Sequence, residues 1–258
     1  MTRLAYTTHG EPTAPSILML HGFLSSNGQW LLNSAALSAR YHLVQVELWG
    51  HGDSPQPEAP GGYTVERYVE EFEQIRRELG ISRWAVIGQS YGAGIVIRYA
   101  LARPEVVSAV VVTNSRSAFG NVASSPRRNA DTSRNKQPSS LRDLPYHPIH
   151  ARRFPQHVKD ALVAAADRMS MDTVRDSSTL ATRLNCQADL HRLAAPILLA
   201  NGVYEKAFQE ELTTLREDAP NLEVVDLQGG HSINIEAAEE FNKATLDFLA
   251  RHFGKPAA

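Results

Sequence analysis

The chain has 258 residues, 43% of them hydrophobic, enough to bury a sizeable core in one domain or in one domain with an insertion. Its formal charge of −2 offers no global attraction to nucleic acid or to an anionic membrane. Cys186 is the single cysteine, so no internal disulfide can form, and no apolar run approaches the roughly 20 residues a bilayer span requires.

Met1 to Tyr6 do not read as a leader, because the first apolar run, Ile17 to Leu20, holds only four residues. A soluble, cytoplasmic protein is therefore expected. Residues 3–8 alternate enough to form a strand, turned by His9-Gly10-Glu11-Pro12. Ile17-Leu18-Met19-Leu20 is apolar throughout, which suits a buried parallel strand. It runs into the loop His21-Gly22-Phe23-Leu24-Ser25-Ser26 and a helix expected around Trp30 to Ala39. A second strand, His42 to Leu48, is closed by Trp49-Gly50-His51-Gly52-Asp53-Ser54-Pro55. Tyr63 to Leu79 reads as an amphipathic helix, with Tyr68, Phe72, Ile75 and Leu79 on one face and Gly80 as its stop. After the run Trp84 to Ile87 comes a helical pattern from Ile95 to Leu101, then a strand from Val106 to Thr113. The core pattern resumes at Pro196 to Ala200, with a helix from about Phe208 to Glu217, a strand from Leu222 to Leu227 and a last helix from Glu236 to Phe253. Strands alternating with helices predict an α/β fold, a mostly parallel sheet of about seven strands with helices on both faces.

The stretch from Ser115 to about Ala195 differs in kind. Residues 115–140 are rich in Ser, Asn and Arg and poor in large apolar residues, and a loop that long inside a compact domain is usually a lid, a binding loop or disordered. Pro155 to Met169 and Asp172 to Leu184 look helical. Between Arg116 and Arg192 there are 11 Arg and 2 Lys against 7 Asp and no Glu, a balance of +6, while the rest of the chain carries −8. This divides the chain into a core of residues 1–114 and 195–258 and a basic helical cap or lid of residues 115–194. A basic insertion motivates an anionic substrate or docking partner, against the plainer reading of a solvated surface.

The most informative stretch is Gly88-Gln89-Ser90-Tyr91-Gly92-Ala93-Gly94, between an apolar strand and a helix. Gly88 and Gly92 flank Ser90 because the backbone must turn tightly there, and the turn lifts the hydroxyl out of the sheet. The Tyr91 amide then points to where a negative oxygen would form. The glycines run G-x-x-x-G-x-G, not the dinucleotide-binding G-x-G-x-x-G. A serine hydroxyl needs a base. Of the ten histidines, His231 alone follows the last strand through two glycines, which brings it to the same sheet edge as Ser90. His147 and His150 have no neighbouring cysteine or carboxylate to make a metal site.

The order of these pieces resembles the α/β-hydrolase superfamily. The pieces are Leu20-His21-Gly22-Phe23, Gly50-His51-Gly52-Asp53-Ser54, the elbow, and Gly229-Gly230-His231. The resemblance covers residues 3–114 and 195–253 and is weak in the insertion, where this superfamily carries a variable cap. It implies that Ser90 is the nucleophile and His231 the base, that the amides of Phe23 and Tyr91 form the oxyanion hole, and that His21 and His51 shape loops. Superfamily members usually place an aspartate after the strand here formed by Ile197 to Ala200. This chain reads Asn201-Gly202-Val203-Tyr204-Glu205-Lys206, so Glu205 is the expected acid, with Asp226 or Asp218 as stand-ins. The other site used by relatives, after the 106–113 strand, reads Asn114-Ser115-Arg116 and offers no carboxylate. Gly202 is expected to give the Glu205 loop its freedom. The hairpin that opens many relatives is shortened by one strand, which again gives seven.

The expected function is cleavage of a carboxylic ester or related acyl bond through a Ser-His-Glu triad, on a small-molecule acyl substrate. No metal or organic cofactor is implied, nor is nucleic acid, and oligomeric state is open. The same motifs also serve lactonases, thioesterases and C–C hydrolases or lyases, and a non-catalytic receptor could keep the fold.

Overall fold

The computed structural model describes residues 3–57, 62–120, 140–219 and 221–252. Most of the basic segment between positions 115 and 140 lies outside the described residues. Seven strands form one sheet among the described residues: β1 (Tyr6–His9), β2 (Ser16–Leu20), β3 (His42–Val46), β4 (Trp84–Gly88), β5 (Val107–Thr113), β6 (Ile197–Gly202) and β7 (Leu222–Leu227). Their order is β1-β3-β2-β4-β5-β6-β7, with β1 antiparallel to β3 and every other pairing parallel. The helices are α1 (Ser34–Ser38), α2 (Val65–Glu78), α3 (Tyr91–Ala102), α4 (Arg116–Phe119), α5 (Gln156–Ala166), α6 (Met171–Ala181), α7 (Lys206–Asp218), α8 (Ile233–Glu236) and α9 (Ala238–His252).

The central strands are mostly apolar and buried at every position because both of their faces are covered. Leu18, Leu20, Val86, Val110, Val112, Ile197 and Leu199 point into a core completed by Phe72 of α2, Ile95 and Tyr99 of α3 and Phe208 of α7. The intervening residues, Ile17, Met19, Ala85, Ile87, Ala109, Val111 and Leu198, pack on the other face against Leu37 of α1 and Phe241, Phe248 and Leu249 of α9. The period of two thus splits one apolar strand between two cores.

One helix differs from the expectation. In place of one helix over 30–39 there is a 3-10 turn, Asn27–Trp30, capped by the Ser26 side chain, and then the short α1. The buried Asn33 between them directs its amide to the Asn234 carbonyl and the Asn242 side chain, a tertiary commitment that periodicity does not reveal. The last helix is α9, close to its expected bounds, and the short α8 stands before it, separated by Ala237 at φ −136° and ψ 57°.

The insertion between β5 and β6 is attached to the core at several places. Leu180, Leu184, Cys186, Leu190 and Leu193 belong to the main core, and Arg98 of α3 pairs with Asp189 at 2.7 Å. Leu141, Leu144, Met169 and Val174 instead form a separate cluster with Leu24.

A buried polar chain ties α2, β4 and α3 together. The Trp84 indole N–H donates to the Tyr99 oxygen at 3.1 Å, and the Tyr99 hydroxyl donates to Glu73 Oε1 at 2.7 Å. Arg76 grips both oxygens of Glu73 at 2.9 and 2.8 Å, and this bond holds the carboxyl below its usual range. Tyr99→Phe leaves two buried partners short of a bond, so it should cost about 1–3 kcal/mol. Urea unfolding should show a lower midpoint with an unchanged slope.

Candidate active site

Parallel strands in register bring their carboxyl ends to one edge: Leu20 pairs with Val46 and Gly88, and Gly202 with Leu227. The loops that leave this edge carry Phe23, Ser90, Glu205 and His231, and Tyr91 opens the helix that follows Ser90. Ser90 sits between β4 and α3 with φ 51° and ψ −109°, one of two non-glycine residues at positive φ among the described residues. Its amide donates to Thr113 Oγ1 at 3.1 Å, and Gly92 N–H closes the turn onto the Gln89 carbonyl at 2.8 Å. Such a conformation costs energy and persists only where surrounding bonds impose it.

His231 Nε2 lies 2.7 Å from Ser90 Oγ, and its Nδ1 lies 2.9 Å from Glu205 Oε1. An ionised carboxylate can only accept, so Nδ1 carries a proton for Glu205 and Nε2 is free to accept from the serine hydroxyl. Burial opposes protonation of His231, but the hydrogen bond and charge of Glu205, aided by Glu236, outweigh it and raise its pKa above 6.5.

The stand-in acid Asp226 is engaged elsewhere: its Oδ1 accepts from Asn201 Nδ2 at 2.8 Å, and Arg216 approaches Oδ2 at 3.3 Å. The side chain of Asp218 lies outside the described residues. The amides of Phe23 and Tyr91 donate no hydrogen bond among the described residues. Tyr91 N–H opens α3, where a helix has no internal acceptor for it. The residue after Phe23, Leu24, is the other positive-φ position, at 51°. Its buried side chain packs into the insertion's cluster, which compensates a left-handed leucine's cost of about 1–2 kcal/mol. His21 and His51 are wholly buried structural groups. His21 Nδ1 bonds the Gly22 carbonyl at 2.8 Å and Nε2 accepts the Leu48 N–H at 3.1 Å, while burial pushes His51 down to about 3.

The role expected of Gly202 needs correction. It is the last residue of β6, at ordinary φ, and a Cβ there would overlap the Gly230 carbonyl. Space for a passing backbone, not loop freedom, requires glycine. The loop is stitched down: Tyr204 N–H bonds the Gly229 carbonyl at 2.9 Å and Val203 N–H the Leu227 carbonyl at 3.1 Å. Three further side chains hold the constellation, and sequence reasoning did not single them out. Asn114 Nδ2 donates to the Gly202 carbonyl at 3.0 Å while its Oδ1 accepts the Gly202 N–H at 3.1 Å. Gln89 Nε2 reaches the His231 carbonyl at 3.3 Å, and Glu236 Oε2 accepts the Gly230 N–H at 3.0 Å. Asn114 and Gln89 lie in stretches the motifs marked, but nothing local shows that their partners are residues 202 and 231.

A cavity of about 680 Å³ opens onto Ser90 and His231, walled by Phe23 and Leu24 on one side and by 145–154 of the insertion on the other. Among the described residues no group of three His, Cys, Asp or Glu could hold a metal ion, and no helix is long and apolar enough to cross a membrane.

A serine on a strained strand-to-helix elbow, against a histidine from the loop after the last strand, is the layout of a hydrolytic enzyme on an α/β sheet. The chain belongs to the α/β hydrolase fold family, whose model matches residues 15–238, and it is a hydrolase. It is similar to a protein of Stutzerimonas stutzeri (strain A1501) named "Putative carbamate hydrolase RutD", 26% identical across 98% of this chain and 99% of that one. Among solved structures it resembles a hydrolase from Pseudomonas aeruginosa PA01, with a TM-score of 0.80 and 22% identity over 95% and 94% of the two chains. It also resembles the enol-lactonase from Burkholderia xenovorans LB400, with a TM-score of 0.74 and 22% identity over 96% of each.

The elbow itself is testable. A Cβ on Gly92 would stand 2.6 Å from the carbonyl oxygens of Leu20 and His21, backbone atoms that cannot move aside. Gly92→Ala should therefore cost on the order of 2–4 kcal/mol. Thermal unfolding should fall by about 10 °C.

Proposed function

We propose that this hydrolase cleaves a carboxylic ester or related acyl bond through a covalent serine intermediate. The observation that carries the reading is the unbroken pair of hydrogen bonds from Ser90 Oγ through the His231 ring to Glu205 Oε1, 2.7 and 2.9 Å long. Ser90 Oγ attacks the acyl carbon while His231 Nε2 takes its proton. The carbonyl π electrons move onto oxygen, where the Phe23 and Tyr91 amides stabilise the charge. The intermediate collapses and expels the alcohol, which leaves with the proton from Nε2. Water then attacks the acyl-enzyme, giving its proton to His231, and Ser90 is restored as the acid departs. Glu205 keeps the Nδ1 proton in place and offsets the charge of the imidazolium. Its position at the start of α7 suits a carboxylate, since the helix dipole is positive there. The insertion serves as a cap, closing the cavity above Ser90.

The names of the relatives span carbamate, enol-lactone and ester cleavage. All are acyl bonds open to this sequence of steps.

Glu205→Gln keeps the size of the side chain but can donate a hydrogen bond, favouring the wrong imidazole tautomer, so kcat on an activated aryl ester should fall on the order of 10⁴-fold. Asp226→Asn should cost little, because Asp226 serves Asn201 and Arg216. The reverse order would sink the assignment.

A pH profile offers an independent check. His231 must be neutral to accept the proton, so kcat/KM should rise with pH along a limb centred above 6.5, in the direction Glu205 drives it. In Glu205→Gln the residual activity should show that limb at lower pH. A limb that stays in place would show that Glu205 does not act on the base.

A further inference from the structure

The charged lining of the cavity is uneven. Apart from histidines, its charged residues among those described are Arg152, Arg153 and Glu236. Glu236 is already shared: its Oε2 accepts the Gly230 N–H and faces Arg153 Nη1 at 3.3 Å. Arg153 spends only Nη1 on that bond, and its guanidinium lies over the Tyr204 ring, 5.0 Å from the centroid. Its Nε and Nη2 have no hydrogen-bond partner among the described residues, and Arg152 has no ion-pair or hydrogen-bond partner among them. The cavity wall therefore carries one cation more than its carboxylate balances.

Exposed arginines are usually solvated without consequence. Position sets these two apart. They stand in the segment that walls the cavity over Ser90, and Arg153 Nη1 lies 3.4 Å from where a Cβ on Gly230 would be, one residue before His231. A cation there sits beside the reacting groups. Glu205 and Glu236 would repel an anion approaching Ser90, so an anionic substrate needs a counter-charge at this wall, while a neutral one gains nothing from it. A guanidinium fork matches a carboxylate with two parallel hydrogen bonds, which surface lysines do not offer.

We infer that the substrate of this site is an acyl compound bearing a carboxylate, with Arg152 and Arg153 as its counter-charge at the wall formed by the insertion. The inference rests on the serine-hydrolase reading above and names its substrate class. Arg153 has a second effect, because its bond to Glu236 joins the insertion to the loop that carries His231.

The experiment uses two matched pairs of chromogenic esters. In one, the free carboxylate is on the acyl side: the 4-nitrophenyl monoester of adipic acid against its methyl ester. In the other it is on the leaving group: 4-acetoxybenzoate against methyl 4-acetoxybenzoate. At low ionic strength the acid of at least one pair should be preferred about tenfold in kcat/KM, the worth of one charge-assisted bond to a carboxylate. That ratio should fall towards one in Arg152→Gln/Arg153→Gln, and also as added salt shortens the screening length to about 3 Å at 1 M. Fluorophosphonate labelling of Ser90, absent in Ser90→Ala, is measured alongside. An enzyme that neither labels nor turns over any ester would remove the hydrolase reading and this inference together. A labelled enzyme that cleaves neither acid faster than its methyl ester would overturn the carboxylate alone. A preference that the double variant leaves unchanged would overturn the assignment to these arginines.

Discussion

At the carboxyl edge of the sheet, backbones pass closer together than any side chain would allow. Gly92 faces the carbonyls of Leu20 and His21, Gly202 faces the carbonyl of Gly230, and a Cβ on Gly22 would overlap the Gln89 side chain. These approaches bind the loop after β2 to the elbow and the loop after β6 to the loop after β7. Residues 141 positions apart thereby come within a hydrogen bond of one another, as Ser90 and His231 do. Backbone contacts of this kind are rigid, and the geometry of the site depends on tenths of an ångström. The strain at Ser90 has the same origin: the turn is bent by what surrounds it.

A layer of buried amides supports this frame. Gln29, Asn33, Asn234 and Asn242 bond one another and nearby carbonyls between the 3-10 turn and the helices after His231, with distances of 2.8–3.1 Å. Burying such groups costs energy unless each finds a partner, so the arrangement permits one placement of α8 and α9 and penalises others. Asn114 does the same for Gly202. These residues lie away from Ser90, yet they help fix where His231 and Glu205 stand.

The insertion reaches the chemistry through two contacts of different character. Leu24, strained at positive φ, is packed by Leu141, Leu144, Met169 and Val174, so the insertion's apolar cluster holds the residue next to the Phe23 amide. Arg153 reaches Glu236 across the cavity, linking the insertion to the loop of His231. The insertion thus supplies one wall of the cavity and the arginines in it.

The sequence by itself determined the α/β class, the number of strands and the residue types offered at each strand end. Those signals are local: an apolar run has to be buried on both faces, a glycine-flanked serine has to turn, and a glycine pair before a histidine makes a loop. It also offered Glu205 as the candidate carboxylate, since the loop between β6 and α7 holds no other. Only the tertiary structure decided which side chains meet. The engagement of Asp226 by Asn201 and Arg216, the two-sided grip of Asn114 on Gly202 and the steric need for Gly202 all involve partners from other elements. The same holds for Arg152 and Arg153, which in the sequence are two charges among many and in the fold become the wall of a cavity. Propensity and periodicity act over a few residues, whereas these contacts exist only once strand register has brought distant segments together, and no local pattern encodes that distance.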